Sequence, residues 1–290
     1  MTMYETPDAA AELVDFWNDI LVPKFIKYRH ILVGGLTHHS AAILPSLPLA
    51  EGDRVLDVGC GFGDTAIHFA KRVAPTGSVV GIDCCEAFLE MARRDAAAAG
   101  VTNAEFVMGD AQFEPFDPVY DFCFSRFGTM FFENPVAGMR NMRQALKPGG
   151  HFTMIVWRRI EDNPWLALPK EIVLRYLPPP GEGARTCGPG PFSMANQDMV
   201  TGMLKSAGLT DIHFERIDAP IMVGRSPDDA MGFQLALGPA GEVFREAGDE
   251  AERRREEIEQ ALSEELSRFA TDEGIVLPSS SWKVSARHPQ

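Results

Sequence analysis

Apolar residues along the middle of the chain follow two alternating spacings. Between residue 54 and about residue 158, apolar runs of strand length alternate with segments whose apolar residues recur at helical spacing. The runs read RVLDV, SVVGID, AEFVM, YDFCFS and HFTMIVW. This alternation is typical of a parallel sheet whose strands are connected by helices that pack on its faces.

Asparagines mark where several of the helices begin. Asn134 can cap a helix that has Pro135 in its first turn, and Asn163 with Pro164 repeats this signal. Asn196 is a third candidate cap, because a segment with helical apolar spacing follows it. We therefore predict that a helix begins after each of these three asparagines.

The second half of the chain contains an irregular stretch and a long helical region. Residues 177–191, LPPPGEGARTCGPGP, are too rich in proline and glycine for regular structure and predict an exposed loop. Residues 226–270 predict helices, the last with a charged, solvent-facing side. DIHFERI before this region and IVLPSSSWKVSAR after it predict two further strands.

The balance of charges excludes some classes of partner. The chain has 27 Lys and Arg against 41 Asp and Glu, which gives a formal net charge of -14 over 290 residues. This charge repels the phosphates of nucleic acids and of anionic membranes. We therefore expect a small-molecule partner, no nucleic acid and no membrane insertion. The oligomeric state stays open, a homodimer included.

The cysteines and the first residues bear on the cellular compartment. Five cysteines without CxxC spacing predict neither a disulfide framework nor a metal site of that type. The N-terminus has acidic residues where a signal peptide has basic ones, and no apolar run approaches membrane-spanning length. We expect a cytoplasmic protein with reduced thiols and no metal.

A glycine-rich turn follows the first predicted strand. The stretch RVLDVGCGFGDT places glycines at positions 59, 61 and 63 and Asp64 at the start of a helix. Such a turn lets a ligand approach backbone N–H groups at the carboxyl edge of a parallel sheet. The dinucleotide fingerprint has its third glycine at the position of Asp64, and a carboxylate there repels a pyrophosphate. We therefore expect a nucleoside without phosphates.

Two acidic residues follow the next strands. Asp83 closes SVVGID, beside the glycine turn, and can accept hydrogen bonds from both ribose hydroxyls. Asp110, in GDAQ after the third strand, can accept from the exocyclic amine of adenine, while the Ala111 N–H serves a ring nitrogen. The turn and the two acids together predict an adenosine site.

Five motifs occur in order between about residue 50 and residue 158: VLDVGCGFG, VVGIDCCEAFLEMAR, FVMGDAQ, YDFCFSRFGTMFF and ALKPGGHF. Together they resemble those of the class I S-adenosylmethionine-dependent methyltransferases, especially the bacterial small-molecule type that includes the quinone-biosynthesis methyltransferases. The resemblance implies an α/β fold with a doubly wound, mostly parallel, seven-stranded Rossmann-like sheet. It also implies a helical N-terminal lid and a helical insertion before the last strand.

The resemblance divides the chain into three parts. Residues 1–50 form the lid, residues 51–225 and 271–290 form the domain that binds S-adenosyl-L-methionine, and residues 226–270 form part of the acceptor-site cap. The contacts that it implies with the donor run from the methionine part to the adenine: Asp57, Gly59, Cys60, Gly61, Gly63 and the backbone of Ser125 or Arg126, then Asp83 on the ribose, then Cys84, Asp110 and Ala111 on the adenine.

The implied reaction is methyl transfer to a small organic acceptor by in-line displacement at the sulfonium, with S-adenosylhomocysteine as the product. Three other functions stay open: methylation of a protein, nucleoside binding without turnover, and hydride transfer with a nicotinamide cofactor. Asp64 and the early third glycine oppose hydride transfer. The sequence leaves the acceptor atom open among carbon, oxygen, nitrogen and sulfur.

The reaction needs a general base only when the acceptor arrives protonated. His38 and His39, in GGLTHHSAAIL before the first strand, are the candidates; the alternative is that one packs or caps while the other is solvated. Arg126, at the carboxyl end of the fourth strand, holds an anionic group of the substrate or pairs with an acid in the lid.

Other residues have both a functional and a structural interpretation. The aromatic candidates for an apolar acceptor pocket, which are also candidates for ordinary core, are Tyr4, Trp17, Tyr28, Phe131 and Phe132. Trp157 and Arg158 end the fifth strand and are further candidates for the acceptor cleft. The adjacent Cys84 and Cys85 are able to bind a soft ion, but the position of Cys84 beside the nucleoside opposes that role.

Overall fold

The computed structural model describes residues 13–181 and 183–290. Within these residues the chain forms one sheet of eight strands. In chain order they are β1 (Arg54–Val58), β2 (Ser78–Asp83), β3 (Ala104–Met108), β4 (Tyr120–Arg126), β5 (Leu146–Trp157), β6 (Thr210–Gly224), β7 (Ala270–Thr271) and β8 (Gly274–Arg287). The strand order is β3-β2-β1-β4-β5-β8-β6, and β7 pairs with β8.

The sheet is mostly parallel. Strands β1 to β5 run parallel to one another, whereas β8 is antiparallel to both β5 and β6. The order reverses beside β1, between β2 and β4, and an open α/β sheet binds its ligand at such a switch point, outside the carboxyl ends of the strands. The predicted Rossmann-like fold is thus confirmed, with the two-residue β7 as an addition to the seven strands.

The described helices flank this sheet. A π-helical turn, Trp17–Leu21, leads into α1 (Val22–Lys27) and α2 (Arg29–Ala41). The others are α3 (Asp64–Val73), α4 (Glu86–Ala98), α5 (Pro135–Ala145), α6 (Pro164–Val173), α7 (Gln197–Ser206), α8 (Pro227–Ala236), α9 (Gly238–Glu246), α10 (Asp249–Arg253) and α11 (Arg255–Leu266). Short 3-10 turns cover Leu44–Ser46, Thr129–Phe131, Ile160–Asp162 and Ser267–Phe269. None of the described helices is long and apolar enough to cross a bilayer.

All three predicted helix starts are confirmed, but only two of the asparagines act as caps. The side chain of Asn134 accepts a hydrogen bond from the Ala137 N–H at 3.0 Å, and that of Asn196 accepts from the Met199 N–H at 3.0 Å. Asn163 makes no such bond. It is completely buried and instead bonds both the N–H and the carbonyl of Ser280, so it joins the start of α6 to β8.

The helices before β1 and the helices after β6 pack against the sheet and against neighbouring helices. Helix α2 packs against β6, and α9 packs against α6 and α8. Helices α8 to α11 account for the predicted helical region at 226–270, and the stretch at 177–191 contains no helix or strand among its described residues. The part of the predicted lid at residues 1–12 lies outside the described residues.

Two details differ from the sequence expectations. Strand β6 continues seven residues beyond DIHFERI, to Gly224, because the long β8 pairs with it along most of its length. At the end of α11 the sequence spacing favours a pair between Glu264 and Arg268 of the following 3-10 turn, but Arg268 pairs with Glu265 at 2.8 Å. Exposed pairs of this kind contribute little to stability in either arrangement.

Candidate functional site

One cavity of about 300 Å³ opens at the carboxyl edge of the sheet, where the switch point lies. Its wall combines the turn after β1, the ends of β2 and β4, the segment after β3, the N-terminal helices and the helices after β6. Seven of the predicted donor-binding residues line it: Gly59, Cys60, Gly61, Asp83, Cys84, Asp110 and Ala111. Asp57, Gly63 and Ser125 lie behind this wall and do not line the cavity.

The glycines of the turn share a backbone conformation but differ in the space around them. All have positive φ, at 64° for Gly59, 53° for Gly61 and 76° for Gly63, a region that favours glycine. A Cβ at Gly63 would lie 2.6 Å from the Ala92 Cβ, so this glycine lets α3 and α4 pack closely. A Cβ at Gly61 would meet nothing within 4 Å. Gly61 is therefore the glycine whose open side faces the ligand space.

Asp83 holds the turn and faces the cavity. Its Oδ2 accepts a hydrogen bond from the Gly61 N–H at 2.9 Å, and its Oδ1 accepts from the Cys85 N–H at 3.0 Å. Burial raises the pKa of Asp83, although these backbone N–H groups favour the charged form. Because a carboxylate oxygen has two lone pairs, each oxygen can accept one further hydrogen bond from a ligand.

Asp57 is buried directly beneath the turn. One carboxylate oxygen accepts from the Thr65 hydroxyl at 2.6 Å, whereas Oδ1 has no hydrogen-bond partner among the described residues. Burial raises the pKa of Asp57 to about 7, although the Thr65 hydroxyl and the charge of Arg126 favour the carboxylate. A buried polar oxygen without a partner is rare, and it commonly marks a functional site.

The segment after β3 presents Asp110 and Ala111 to the same cavity. The Asp110 carboxylate accepts from the Gln112 N–H at 2.9 Å and from the Gln112 side-chain amide at 3.2 Å. The Asn141 amide bonds the Ala111 carbonyl at 2.8 Å. These bonds fix the segment. Asp110 and the backbone of Ala111 therefore lie next to the end of β2, where Asp83 is located.

Arg126 lines the cavity but is already engaged. Its guanidinium pairs with Asp64 at 2.7 Å and donates to the Ser40 hydroxyl at 3.2 Å, and only 8% of its side chain is exposed. The partner acid is therefore in the sheet domain, at the first turn of α3, rather than in the lid. Ser40 belongs to α2, so this arginine connects the N-terminal helices to the glycine turn.

The structure argues against both histidines as general bases. His39 is completely buried, and its Nδ1 and Nε2 lie 2.8 and 2.7 Å from the hydroxyls of Ser281 and Ser279. Burial lowers the pKa of His39 to about 4. His38 is exposed, and neither histidine lines the cavity. This placement agrees with the structural interpretation, in which one histidine packs and the other is solvated.

Most of the remaining cavity wall is aromatic or aliphatic. Of the aromatic candidates, Trp17, Phe131 and Phe132 line it, Tyr28 lies in the core against Phe233, and Tyr4 lies outside the described residues. Trp157 also lines the cavity. Arg158 does not, because it pairs with Asp162 at 3.2 Å and lies over the ring of Trp282.

Two features of this wall could not be predicted from the sequence. Phe127 has a φ of 57°, which is rare outside glycine and places its ring on that of Trp157 at 3.9 Å between centroids. Trp165 and Phe233 extend the aromatic surface from α6 and α8. The positive φ leaves no signal in the sequence, and the pairs join residues that are far apart along the chain.

The thiols of Cys84 and Cys85 lie 3.8 Å apart, beside the carboxylate of Asp83. All five cysteines are free thiols in this structure. A metal ion here requires deprotonated thiols. The neighbouring Cys84 thiol and burial both raise the pKa of Cys85 and so oppose its thiolate form. This chemistry does not favour a metal ion.

Residues 55–150 match the family model of a methyltransferase domain. These residues form a methyltransferase domain. A demethylmenaquinone methyltransferase of Staphylococcus aureus is 36% identical to the chain over 109 residues, which make up 37% of this chain and 44% of the relative. The chain thus matches less than half the length of that relative.

Solved structures share the fold of this methyltransferase domain. The YcgJ protein of Bacillus subtilis aligns with a TM-score of 0.57 and 17% identity, over 88% of this chain and 99% of that chain. Phosphoethanolamine N-methyltransferase 2 of Haemonchus contortus, solved with S-adenosyl-L-methionine, aligns with a TM-score of 0.51 and 19% identity, over 86% of this chain and 52% of that chain. At these identities the likeness extends to the fold alone.

The residues of the methyltransferase domain fit S-adenosylmethionine, the methyl donor of this family. The open side of Gly61 leaves room for a ligand against the turn, and Asp83 retains the lone pairs that ribose hydroxyls need. Asp110 and Ala111 provide an acceptor and a backbone at the neighbouring strand end. The orphaned oxygen of Asp57 adds a buried hydrogen-bond acceptor under the turn, and the positive charges of a bound donor would favour its carboxylate form.

We expect Asp57→Asn to remove a pH dependence of stability. The pKa of Asp57 is about 7 in the folded protein against 3.8 as its ordinary value. Its stabilising contribution is therefore complete below the ordinary pKa and is lost as the pH rises through about 7, by up to about 4 kcal/mol. Urea unfolding at about pH 5 and about pH 8 should show the larger part of this loss, about 2–3 kcal/mol, in the wild type and not in the variant. The same pH dependence in both proteins would contradict the assignment.

We expect His39→Gln to lower stability without slowing methyl transfer. The variant loses hydrogen bonds to two buried serines, which costs about 1–3 kcal/mol in the free energy of unfolding. Because the pKa of His39 falls from 6.5 to about 4, the wild type also loses stability as the pH falls through that window, and the variant does not. A lower transfer rate in a variant of unchanged stability would restore His39 as a base.

Proposed function

We propose that this protein transfers a methyl group from S-adenosylmethionine to a small, largely apolar organic acceptor. The observation that carries the proposal is the single cavity that joins the Gly61 turn and Asp83 to a wall of aromatic and aliphatic side chains. The donor requires the polar end of this cavity. The apolar end provides the space and the surface for an acceptor.

Each end of the cavity has a defined task in this proposal. Asp83 receives the ribose hydroxyls, while Asp110 and Ala111 meet the adenine edge, with Cys84 beside it. Gly59, Cys60 and Gly61 face the methionine part. Bound S-adenosylmethionine supplies a methyl group on a positively charged sulfur, and a nucleophile of the acceptor takes this group in line with the departing sulfur.

The chain itself contributes orientation and exclusion of water. The N-terminal helices and helices α8 to α11 form the lid and cap of the cavity in this proposal, as the resemblance implies for residues 1–50 and 226–270. Arg126 couples the lid to the donor site, since it bonds both Ser40 of α2 and Asp64 of α3. An acceptor held against the donor in a dry site gains much of the acceleration by proximity alone.

The test is transfer of a labelled methyl group from S-adenosylmethionine to a panel of apolar phenols, amines and thiols. The proposal predicts a labelled small product with at least one of these classes, and less of it from Asp83→Ala when the donor is held near the wild-type dissociation constant. Label that appears only in added protein fractions would favour a protein acceptor instead. Tight donor binding without any labelled product across the panel would favour a binding module.

A further inference from the structure

Glu242, on α9, differs from the other charged residues of the cavity wall. Among the residues that the structure describes, it has neither a hydrogen bond nor an ion pair, although it is half-buried and lines the cavity. Asp64, by contrast, is paired with Arg126 at 2.7 Å. Glu242 thus presents an unpaired carboxylate to a mainly apolar space.

The cations nearest to Glu242 do not neutralise it. The guanidinium of Arg245 is held by Glu246 at 2.9 Å, bonds the carbonyl of Arg185 and lies over the ring of Phe16. Lys170 lowers the pKa of Glu242 by its charge but forms no ion pair with it within the part of the chain that the structure describes. Burial therefore raises the pKa of Glu242 despite both cations, and a partner of positive charge would relieve that cost.

The surroundings of Glu242 suit the apolar body of such a partner. The charge of Glu242 acts on the neighbouring thiol of Cys187, and the next residue, Gly188, packs on the carbonyl of Phe131. The ring of Phe131 meets that of Trp17 edge to face at 4.9 Å, and both rings line the cavity. Aromatic faces attract cations, so this wall and the carboxylate favour the same kind of ligand.

We propose that Glu242 binds a protonated amine of the acceptor, so that the preferred acceptors are amphipathic amines with an apolar body. The inference rests on the proposed function, because it specifies the acceptor of the same cavity. The wall that contains Glu242 comes from the insertion, whereas the glycine turn forms the donor wall. The net charge of -14 adds to the selection, since it attracts cations and repels anions.

Three ligands of one shape test the charge preference: 4-phenylbutylamine, 4-phenylbutan-1-ol and 4-phenylbutanoate. Their affinities are measured by quenching of tryptophan fluorescence, without donor, in the wild type, in Glu242→Gln and in Glu256→Gln. Glu256 is an exposed glutamate on α11 that does not line the cavity, so its variant has the same change of charge. The wild type should bind the amine about tenfold or more tightly than the carboxylate, and the alcohol in between.

Glu242→Gln should lose this preference, and Glu256→Gln should retain it. A preference for the amine that survives in Glu242→Gln, or a wild type that binds the carboxylate as tightly as the amine, would overturn the inference. Binding of S-adenosylhomocysteine is measured separately in each protein. If the wild type does not bind S-adenosylhomocysteine, the proposed function is contradicted. If the wild type binds S-adenosylhomocysteine but shows no preference for the amine, only the role of Glu242 is contradicted.

Discussion

Gly61→Leu is expected to abolish binding of S-adenosylmethionine while the protein stays folded. The Cβ of residue 61 points into open space, so a side chain there occupies the ligand space without striking the protein. The positive φ of 53° adds a strain of about 1–2 kcal/mol. We expect donor affinity to fall at least about a hundredfold, measured by calorimetry. Near-wild-type affinity would mean that the donor does not lie against this turn.

Gly63→Ala is the matched comparison and should have the opposite profile. The new methyl group would lie 2.6 Å from the Ala92 Cβ and 2.8 Å from the ring of Phe106, neither of which is the end of a flexible side chain. Overpacking and the positive φ together should cost about 2–5 kcal/mol in the free energy of unfolding. A stable Gly63→Ala protein would contradict the packing role of this glycine.

Asp83→Ala is expected to weaken donor binding by about 1–3 kcal/mol, which is about fivefold to 150-fold in the dissociation constant. The variant loses the acceptor for the ribose hydroxyls and also the carboxylate that holds the N–H groups of Gly61 and Cys85. Asp83→Asn keeps the shape but removes the charge and half of the acceptor capacity, so its affinity should lie between those of the wild type and of Asp83→Ala.

Calorimetric titration with S-adenosylhomocysteine measures these affinities, and circular dichroism checks that each variant is folded. An unchanged dissociation constant in folded Asp83→Ala would remove this residue from the ribose site. A loss of folding in Asp83→Ala leaves Asp83→Asn to decide the same question, because the amide can still accept a hydrogen bond from the Gly61 N–H.

The donor end of the site could be predicted from sequence because its residues belong to local motifs. Gly61 and Asp83 each lie next to the strand that positions them, and parallel strands bring their carboxyl ends to one edge. The helix start at Asn134 is local in the same sense, since the cap and the N–H that it accepts are three residues apart. Signals within one element and its connection are readable without tertiary structure.

The acceptor end could not be predicted because its features depend on distant contacts. From the sequence alone His39 is a plausible base, because its hydrogen-bond partners Ser279 and Ser281 lie on β8, about 240 residues later in the chain. In the sequence Asp64 is only an acid at the start of a helix, and its ion pair with Arg126 is visible only in the fold. Glu242 reads as one more acid in a helical region, and only the fold shows that it faces the cavity.

Whether the Gly61 turn and Asp83 bind the methyl donor is decided by calorimetric titration of the wild-type protein with S-adenosylmethionine, S-adenosylhomocysteine and NAD in parallel. We expect both adenosyl ligands to bind with dissociation constants of about micromolar order, and NAD not to bind. Binding of NAD without binding of either adenosyl ligand would contradict this expectation, because the Gly61 turn and Asp83 would then serve a dinucleotide.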